Sequence, residues 1–222
     1  LGFVADTNAV IFDMRENRGG APSMVQYLIS HFLPDGGDTL INTFVSRDYE
    51  YPNQMWSLNR HPMGHRPDVP IIVLTSRQSG SAGEAFPYHL QALERATIIG
   101  ESTYGAGNPG GTWLTDLGYE IFISTGSARN PITGTNWEGT GVAPDVECKA
   151  NDPDGFYKIL SGLFKINQFK YATSATKDAK LAASIEKDTA EWRRMQCAMD
   201  RDLLTTVGGI GGGDTKYASS TY

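Results

Sequence analysis

Residues 69–94 of the chain read VPIIVLTSRQSGSAGEAFPYHLQALE. The first part is a short apolar run rich in β-branched residues, which predicts a buried strand over Asp68–Thr75. A turn of small residues follows, and then apolar residues recur at helical spacing, which predicts a helix over Ala82–Glu94. A buried strand that leads through a short turn into a helix is the repeating unit of an α/β domain.

Three further strands and one further helix are predicted in the first part of the chain. Apolar runs predict strands over Ala9–Met14, Thr39–Val45 and Ala96–Gly100, and apolar residues at helical spacing predict a helix over Ser23–Leu33. This alternation of strands and helices predicts an α/β fold with largely parallel strand pairing. Residues 49–67 contain three prolines and show no clear period, which predicts a long loop or an irregular hairpin.

The composition changes after Gly100, where glycines become frequent. Two more strands are predicted there, over 111–115 and 119–124, and a closing helix over 153–163. Residues 1–165 are therefore predicted to form one domain. Since the chain begins with Leu rather than Met, we expect the N-terminal portion of that domain to lie upstream.

Two segments beyond this domain differ from it in composition. Residues 173–206 are rich in Ala, Lys, Asp and Glu and predict a helical appendage. That helix can dock the chain into a larger assembly, or it can fold back on its own domain. Residues 207–222 predict a flexible Gly/Ser-rich end.

The overall composition excludes several classes of protein. Forty per cent of the 222 residues are hydrophobic, which suits a globular core. The net charge is −6 and the pI about 5.2, without a basic face, which argues against a nucleic-acid partner. The uncharged stretches are too short or too polar to predict a membrane span. The two cysteines, Cys148 and Cys197, make neither a metal-ligand cluster nor a disulfide framework.

Ser81 stands at the junction between the small-residue turn and the helix. A serine at the carboxyl edge of a sheet and at a helix N-terminus exposes its hydroxyl beside free backbone N–H groups. Acyl-transfer enzymes need such a nucleophile next to preorganised N–H donors. Residues 81–84, Ser-Ala-Gly-Glu, also form the S-x-x-E pattern of a capping box, which needs no catalysis. The two interpretations are compatible, since Glu84 can serve the helix while Ser81 serves the chemistry.

Two other segments carry candidate functional residues. The turn Asp13–Gly20 ends in paired glycines, where the backbone can approach a ligand closely and supply an oxyanion donor. The segment Ala128–Asp145 is rich in turn-forming residues and places Glu138 between Trp137 and a glycine. Taken singly, a plain tight turn and a surface loop explain these two segments without any function.

In their order and spacing the three segments resemble the C-terminal-processing, or tail-specific, serine peptidases, and most closely their subgroup related to interphotoreceptor retinoid-binding protein. The resemblance rests on the D-x-R-x-N-x-G-G turn at Asp13–Gly20, the run Ser79–Gly107 and the segment Pro131–Asp145. It covers roughly residues 4–165. It implies a crotonase-like or ClpP-like α/β domain, a peptide or protein substrate, no metal or cofactor, and an exported or extracellular protein.

The resemblance also implies roles for single residues. Ser81 is then the nucleophile, and the N–H groups of Ala82 and of Gly19 or Gly20 hold the oxyanion. One branch of the family pairs the serine with a lysine. The matching position in this chain is Ala106, so the resemblance excludes a Ser-Lys dyad.

Another branch, which includes the tricorn core protease, uses a tetrad of the serine, an upstream histidine, a second serine beside that histidine, and a glutamate. Glu138 matches the glutamate by its offset from the G-V-x-P-D ending. The histidine is expected well before Asp13, whereas the first histidine here is His31. The general base is therefore expected outside this chain, or absent. His89 is about 12 Å from Ser81 along the predicted helix, too far for a hydrogen bond.

The remaining histidines leave room for an alternative function. His61 and His65 lie in the 49–67 segment, which can fold over a site, although loop histidines usually have no such task. If no base is present, the resemblance to retinoid-binding relatives implies a catalytically inactive module that binds hydrophobic ligands or serves a structural purpose. The residues at the motif positions favour the peptidase.

Overall fold

The computed structural model describes residues 1–47, 50–155 and 160. Its central element is a four-stranded sheet of order β1-β4-β5-β9 in which every neighbouring pair is parallel. The strands are β1 (Val10–Asp13), β4 (Ile71–Thr75), β5 (Thr97–Gly100) and β9 (Val146–Glu147). The predicted α/β fold with parallel pairing is confirmed for this sheet.

Two helices pack together and bury the sheet's central strand. They are α1 (Pro22–His31) and α2 (Ala82–Ala92), close to the predicted bounds. All five residues of β4 are buried, as its uninterrupted apolar run predicts for a central parallel strand. The hydrophobic core joins residues from all these elements: Val10, Val25, Ile29, Val73, Phe86, Leu90 and Ile98.

A second sheet of three antiparallel strands has the order β3-β2-β8. Its strands are β2 (Leu40–Ser46), β3 (Asn53–Trp56) and β8 (Gly126–Arg129). The expectation of largely parallel pairing is wrong for β2, because both of its neighbours run antiparallel to it. Of the predicted loop or hairpin over 49–67, residues 53–56 form β3, whose pairing with β2 has a register shift near Leu40, and residues 57–67 form neither strand nor helix.

The glycine-rich part of the chain forms a separate two-stranded ribbon. Its strands β6 (Gly110–Leu114) and β7 (Glu120–Ser124) confirm the two strands predicted there. Alternation along the paired strands places Trp113, Ile121 and Ile123 on one face, and all three are exposed.

Several predictions fall on residues that the structure does not describe. The helix predicted over 153–163 is described only at 153–155 and at 160, where the backbone is helical. The predicted appendage over 173–206 and the Gly/Ser-rich end over 207–222 lie outside the described residues. Within the described part of the chain, no helix is long and apolar enough to cross a membrane.

Candidate active site

Ser81 lies in the turn that joins β4 to α2, and its backbone conformation is unusual. Its φ of 52° and ψ of −120° fall outside both the helical and the extended regions. Of the non-glycine residues that the structure describes, Ser81 and Glu94 alone have positive φ. Such conformations cost about 1–3 kcal/mol and persist where surrounding contacts impose them, most often at functional sites. The strand, strained serine and helix follow the geometry of a nucleophile elbow.

Both pairings of the predicted capping box are in place at Ser81 and Glu84, but only one of them is a hydrogen bond. The Glu84 carboxylate accepts a hydrogen bond from the Ser81 N–H at 2.8 Å. The Ser81 hydroxyl makes no capping bond in return, and the residue is exposed. An N-cap serine that uses its hydroxyl has an extended backbone, which Ser81 does not have. Glu84 therefore serves the helix N-terminus and leaves the hydroxyl of Ser81 available.

Glu84 does more than the capping pattern predicts. Its side chain is fully buried, and three further donors bind it besides the Ser81 N–H. They are the Thr103 hydroxyl, the Gly105 N–H at 2.6 Å and the Ala106 N–H at 2.9 Å. Four donors satisfy a carboxylate that has been removed from water. Glu84 thus fixes the loop over 103–106 against the elbow, a role that sequence spacing does not reveal.

The Asp13–Gly20 turn lies directly against the elbow. The buried Ser79 hydroxyl donates to the Met14 carbonyl at 2.8 Å, and the Gly80 N–H donates to the Asn17 carbonyl at 2.9 Å. A Cβ on Gly83 would lie only 2.4 Å from the Asn17 carbonyl oxygen, so this close contact requires glycine. The structure therefore brings together two of the three segments that the sequence singles out.

The two candidate glycines differ in their hydrogen bonding. Gly19 lies beside the serine, since a Cβ there would come within 3.4 Å of the Ser81 hydroxyl oxygen. Its N–H, however, donates to the Asn17 side-chain oxygen at 2.9 Å. The N–H groups of Gly20 and Ala82 have no hydrogen-bond partner among the described residues. Ala82 follows Ser81 in the chain and Gly20 follows Gly19, so these two free donors lie on the two segments that meet at Ser81.

Glu138 lies in the third segment, Ala128–Asp145. It contacts residues 107 and 108, which directly follow the residues that bind Glu84. Its carboxylate accepts the N–H groups of Gly107 and Asn108, each at 2.7 Å. The neighbouring Trp137 is buried and donates its indole N–H to the Ala106 carbonyl at 3.1 Å. The third segment is thereby joined to the loop that Glu84 holds. Within the described part of the chain, the hydrogen bonds of the Glu138 carboxylate go to this loop and none to Ser81.

The four histidines of the chain all lie in its described part, and none hydrogen-bonds to Ser81. His31, the last residue of α1, and His61 are both buried, and burial lowers the pKa of each. Burial lowers the pKa of His89 to about 3, so this imidazole is neutral at physiological pH. His65 uses both ring nitrogens in hydrogen bonds to the backbone.

An ion pair fixes the start of the Asp13–Gly20 turn. The Asp13 carboxylate and the Arg15 guanidinium are 2.6 Å apart, and Arg15 also donates to the Ala150 carbonyl at 2.9 Å. The hydrogen bond from Arg15 lowers the pKa of the Asp13 carboxyl below its usual value. Within the described residues, no cluster of three or more His, Cys, Asp or Glu side chains is arranged to hold a metal ion.

Comparison with known proteins identifies the family of this fold and site. The sequence profile of peptidase family S41 matches residues 3–148, well over half of the chain. The chain is 29% identical over 143 residues to carboxyl-terminal-processing peptidase 3 of Arabidopsis thaliana, a match that covers 64% of the chain. It is 26% identical over 183 residues to the carboxy-terminal-processing protease of Bartonella bacilliformis, with 80% of the chain covered.

A solved structure supports the same fold. The photosystem II D1 C-terminal processing protease superposes with a TM-score of 0.51 at 22% identity, over 65% of this chain and 35% of that protein. The chain spans 26% of the plant relative and 40% of the bacterial one, so it corresponds to part of their length. The predicted resemblance to the tail-specific peptidases is confirmed at the level of the family. The chain belongs to peptidase family S41 and is a distant relative of the C-terminal-processing proteases.

Proposed function

We propose that this chain is the nucleophile-bearing part of a serine endopeptidase that cleaves within the C-terminal regions of peptides or proteins. The observation that carries this proposal is the conformation of Ser81. A strained backbone with φ of 52° holds an exposed hydroxyl at the mouth of α2, where no capping bond engages it. Backbone strain of about 1–3 kcal/mol is found mostly at functional sites, and the presentation of a nucleophile is one function that uses it.

The proposed reaction follows the logic of a serine-protease triad. The Ser81 oxygen attacks the scissile carbonyl carbon while the general base takes its proton. The N–H groups of Ala82 and Gly20 stabilise the oxyanion, and Gly19 contributes if its bond to Asn17 opens. The base returns the proton to the departing amine, and water then repeats the cycle on the acyl-enzyme.

The general base in this proposal is a histidine outside this chain, and Glu138 orients the tetrad or contacts the substrate. Support for the tetrad comes from Ala106, which occupies the position where the other branch has a lysine. The same motif positions support two finer assignments. One is the subgroup related to interphotoreceptor retinoid-binding protein, and the other is the crotonase-like or ClpP-like form of the α/β fold.

A second function is favoured by one specific observation. One face of the β6–β7 ribbon exposes three large apolar side chains, Trp113, Ile121 and Ile123, which are 45%, 46% and 48% exposed. An apolar surface of this kind suits a catalytically inactive module that binds hydrophobic ligands. A module that only binds ligands does not account for the backbone strain at Ser81, which favours the peptidase.

The experiment that separates the two functions uses the full-length protein. It is incubated with peptides of mixed sequence that end in a free carboxylate, and cleavage is followed by mass spectrometry. Cleavage is expected in the wild type and in the control Ser124→Ala, which changes another exposed serine, and is expected to be abolished in Ser81→Ala. Absence of cleavage together with saturable binding of an apolar fluorescent probe would instead establish the ligand-binding module.

A further inference from the structure

His89 is a buried imidazole that the proposed reaction does not use. It lies in α2, eight residues after Ser81, and none of its surface is exposed. Its Nδ1 is 2.9 Å from the side-chain nitrogen of Asn130. Its Nε2 has no hydrogen-bond partner among the described residues. A buried polar side chain with only one partner calls for a physical explanation.

The direction of the His89–Asn130 hydrogen bond follows from the other contacts of Asn130. The Asn130 side-chain oxygen accepts the N–H groups of Ile132 and Thr133 at 2.8 and 3.1 Å. This fixes the amide orientation, so the NH2 group faces His89 and can only donate. His89 Nδ1 is therefore the acceptor, and the neutral ring carries its proton on Nε2.

Asn130 organises the turn that leads to Glu138. Its backbone closes the turn at both ends, through bonds of 2.9 Å to Thr135 and Gly134. The residues after this turn are held by hydrogen bonds of the Asn136 side chain. The Asn136 side chain donates to the Ala128 carbonyl at 2.8 Å and accepts the Glu138 N–H at 2.9 Å.

The Trp137 indole completes the connection between His89 and this segment. Its ring lies edge-on to the imidazole, with centroids 5.8 Å apart and planes at 86°. An imidazolium at this position would point a proton at the Asn130 NH2 group and break the hydrogen bond between them. Burial prevents this, because it disfavours the charged form of His89.

We infer that His89 is a positioning residue: as a neutral acceptor it holds Asn130, and through the 130–135 turn it sets the Glu138 carboxylate against Gly107 and Asn108. The inference deepens the proposed function, because it names what keeps the candidate glutamate in place. His89 itself touches neither Ser81 nor the reacting atoms.

Two variants of nearly equal side-chain size test the hydrogen bond. His89→Asn keeps an acceptor close to the position of Nδ1, and His89→Leu removes it. Both side chains have the same number and branching of heavy atoms, so the two variants differ chiefly in polarity rather than in shape. We expect the amides of Gly107 and Asn108 to exchange with deuterium about tenfold faster in the Leu variant, because Glu138 no longer binds them.

The amide of Ser81 serves as the internal control, because the carboxylate that binds it is Glu84 rather than Glu138. Its exchange is expected to stay unchanged in His89→Leu, and His89→Asn is expected to restore protection at Gly107 and Asn108. Equal acceleration at the control amide, or no recovery in the Asn variant, would overturn the inference. If His89→Leu does not fold, His89→Phe removes the acceptor while a ring still fills the site, and the same pattern is expected.

The same variants link the inference to catalysis through the rate at which a fluorophosphonate modifies Ser81 in the full-length protein. We expect about a tenfold slower reaction in His89→Leu and recovery in His89→Asn. A wild-type protein that does not react would refute the proposed peptidase while the exchange measurement still decides the role of His89. A wild type that reacts at the same rate as His89→Leu would overturn the positioning role.

Discussion

Replacement of Ser81 by glycine should make the protein more stable while removing the proposed nucleophile. At φ 52° and ψ −120°, any residue with a Cβ is strained, and glycine is not. Relief of that strain returns about 1–3 kcal/mol, and the greater freedom of glycine in the unfolded chain costs about 0.5–1 kcal/mol. The Ser81 hydroxyl makes no capping bond and is exposed, so its loss adds little. The net gain is about 1 kcal/mol and at most about 2.5 kcal/mol.

The comparison that isolates this gain is Ser81→Gly against Ser81→Ala, since both lack the hydroxyl and only alanine keeps the strained Cβ. Urea unfolding gives the two free energies, and the corresponding rise in Tm is about 2–4 °C and at most about 10 °C. Ser124→Gly, a control in the regular strand β7, should lose about 0.5–1 kcal/mol. If Ser81→Gly is no more stable than Ser81→Ala, then the elbow is not strained, and the main support for the proposed nucleophile is lost.

Three further predictions concern the contacts around the elbow. Gly83→Ala should destabilise the protein by about 1–3 kcal/mol in urea, because its Cβ would lie 2.4 Å from the Asn17 carbonyl oxygen; an unchanged midpoint would contradict that packing. Glu84→Gln should cost about 1–3 kcal/mol and slow fluorophosphonate labelling, because an NH2 group would face N–H donors; wild-type stability would show that the carboxylate is not needed. Arg15 lowers the folded-state pKa of Asp13 below 3.8. The difference in unfolding free energy between wild type and Arg15→Met should therefore be full above about pH 4 and shrink as the pH falls below it. A difference that does not change with pH would exclude the Asp13–Arg15 ion pair as its source.

The parts of the fold that were predictable are those in which a local pattern decides the structure. The apolar run of β4 and the helical spacing in α2 are visible without any partner, and both elements form as predicted. Strand β3 was not predictable as a defined element, because its four residues bury only Met55 and exist through pairing with β2. Tertiary pairing, and not local propensity, decides such short strands.

The candidate site shows the same division between local and distant contacts. The turn before α2 identified Ser81 from sequence, because a strand, a small-residue turn and a helix are all local. The dual role of Glu84 was missed, since Thr103, Gly105 and Ala106 are about twenty residues away, and two of the three donate backbone N–H groups that no sequence pattern marks. The preference for Gly20 over Gly19 depends on where the Asn17 side chain turns, which sequence also leaves open.

The most direct test of the proposed nucleophile is to treat the full-length native protein with a fluorophosphonate and to locate the adduct by peptide mass spectrometry. We predict a single adduct on the peptide that contains Ser81, absent after heat denaturation and absent in Ser81→Ala. No adduct on the native protein, or an adduct on a different serine, would contradict the assignment of Ser81 as an activated nucleophile.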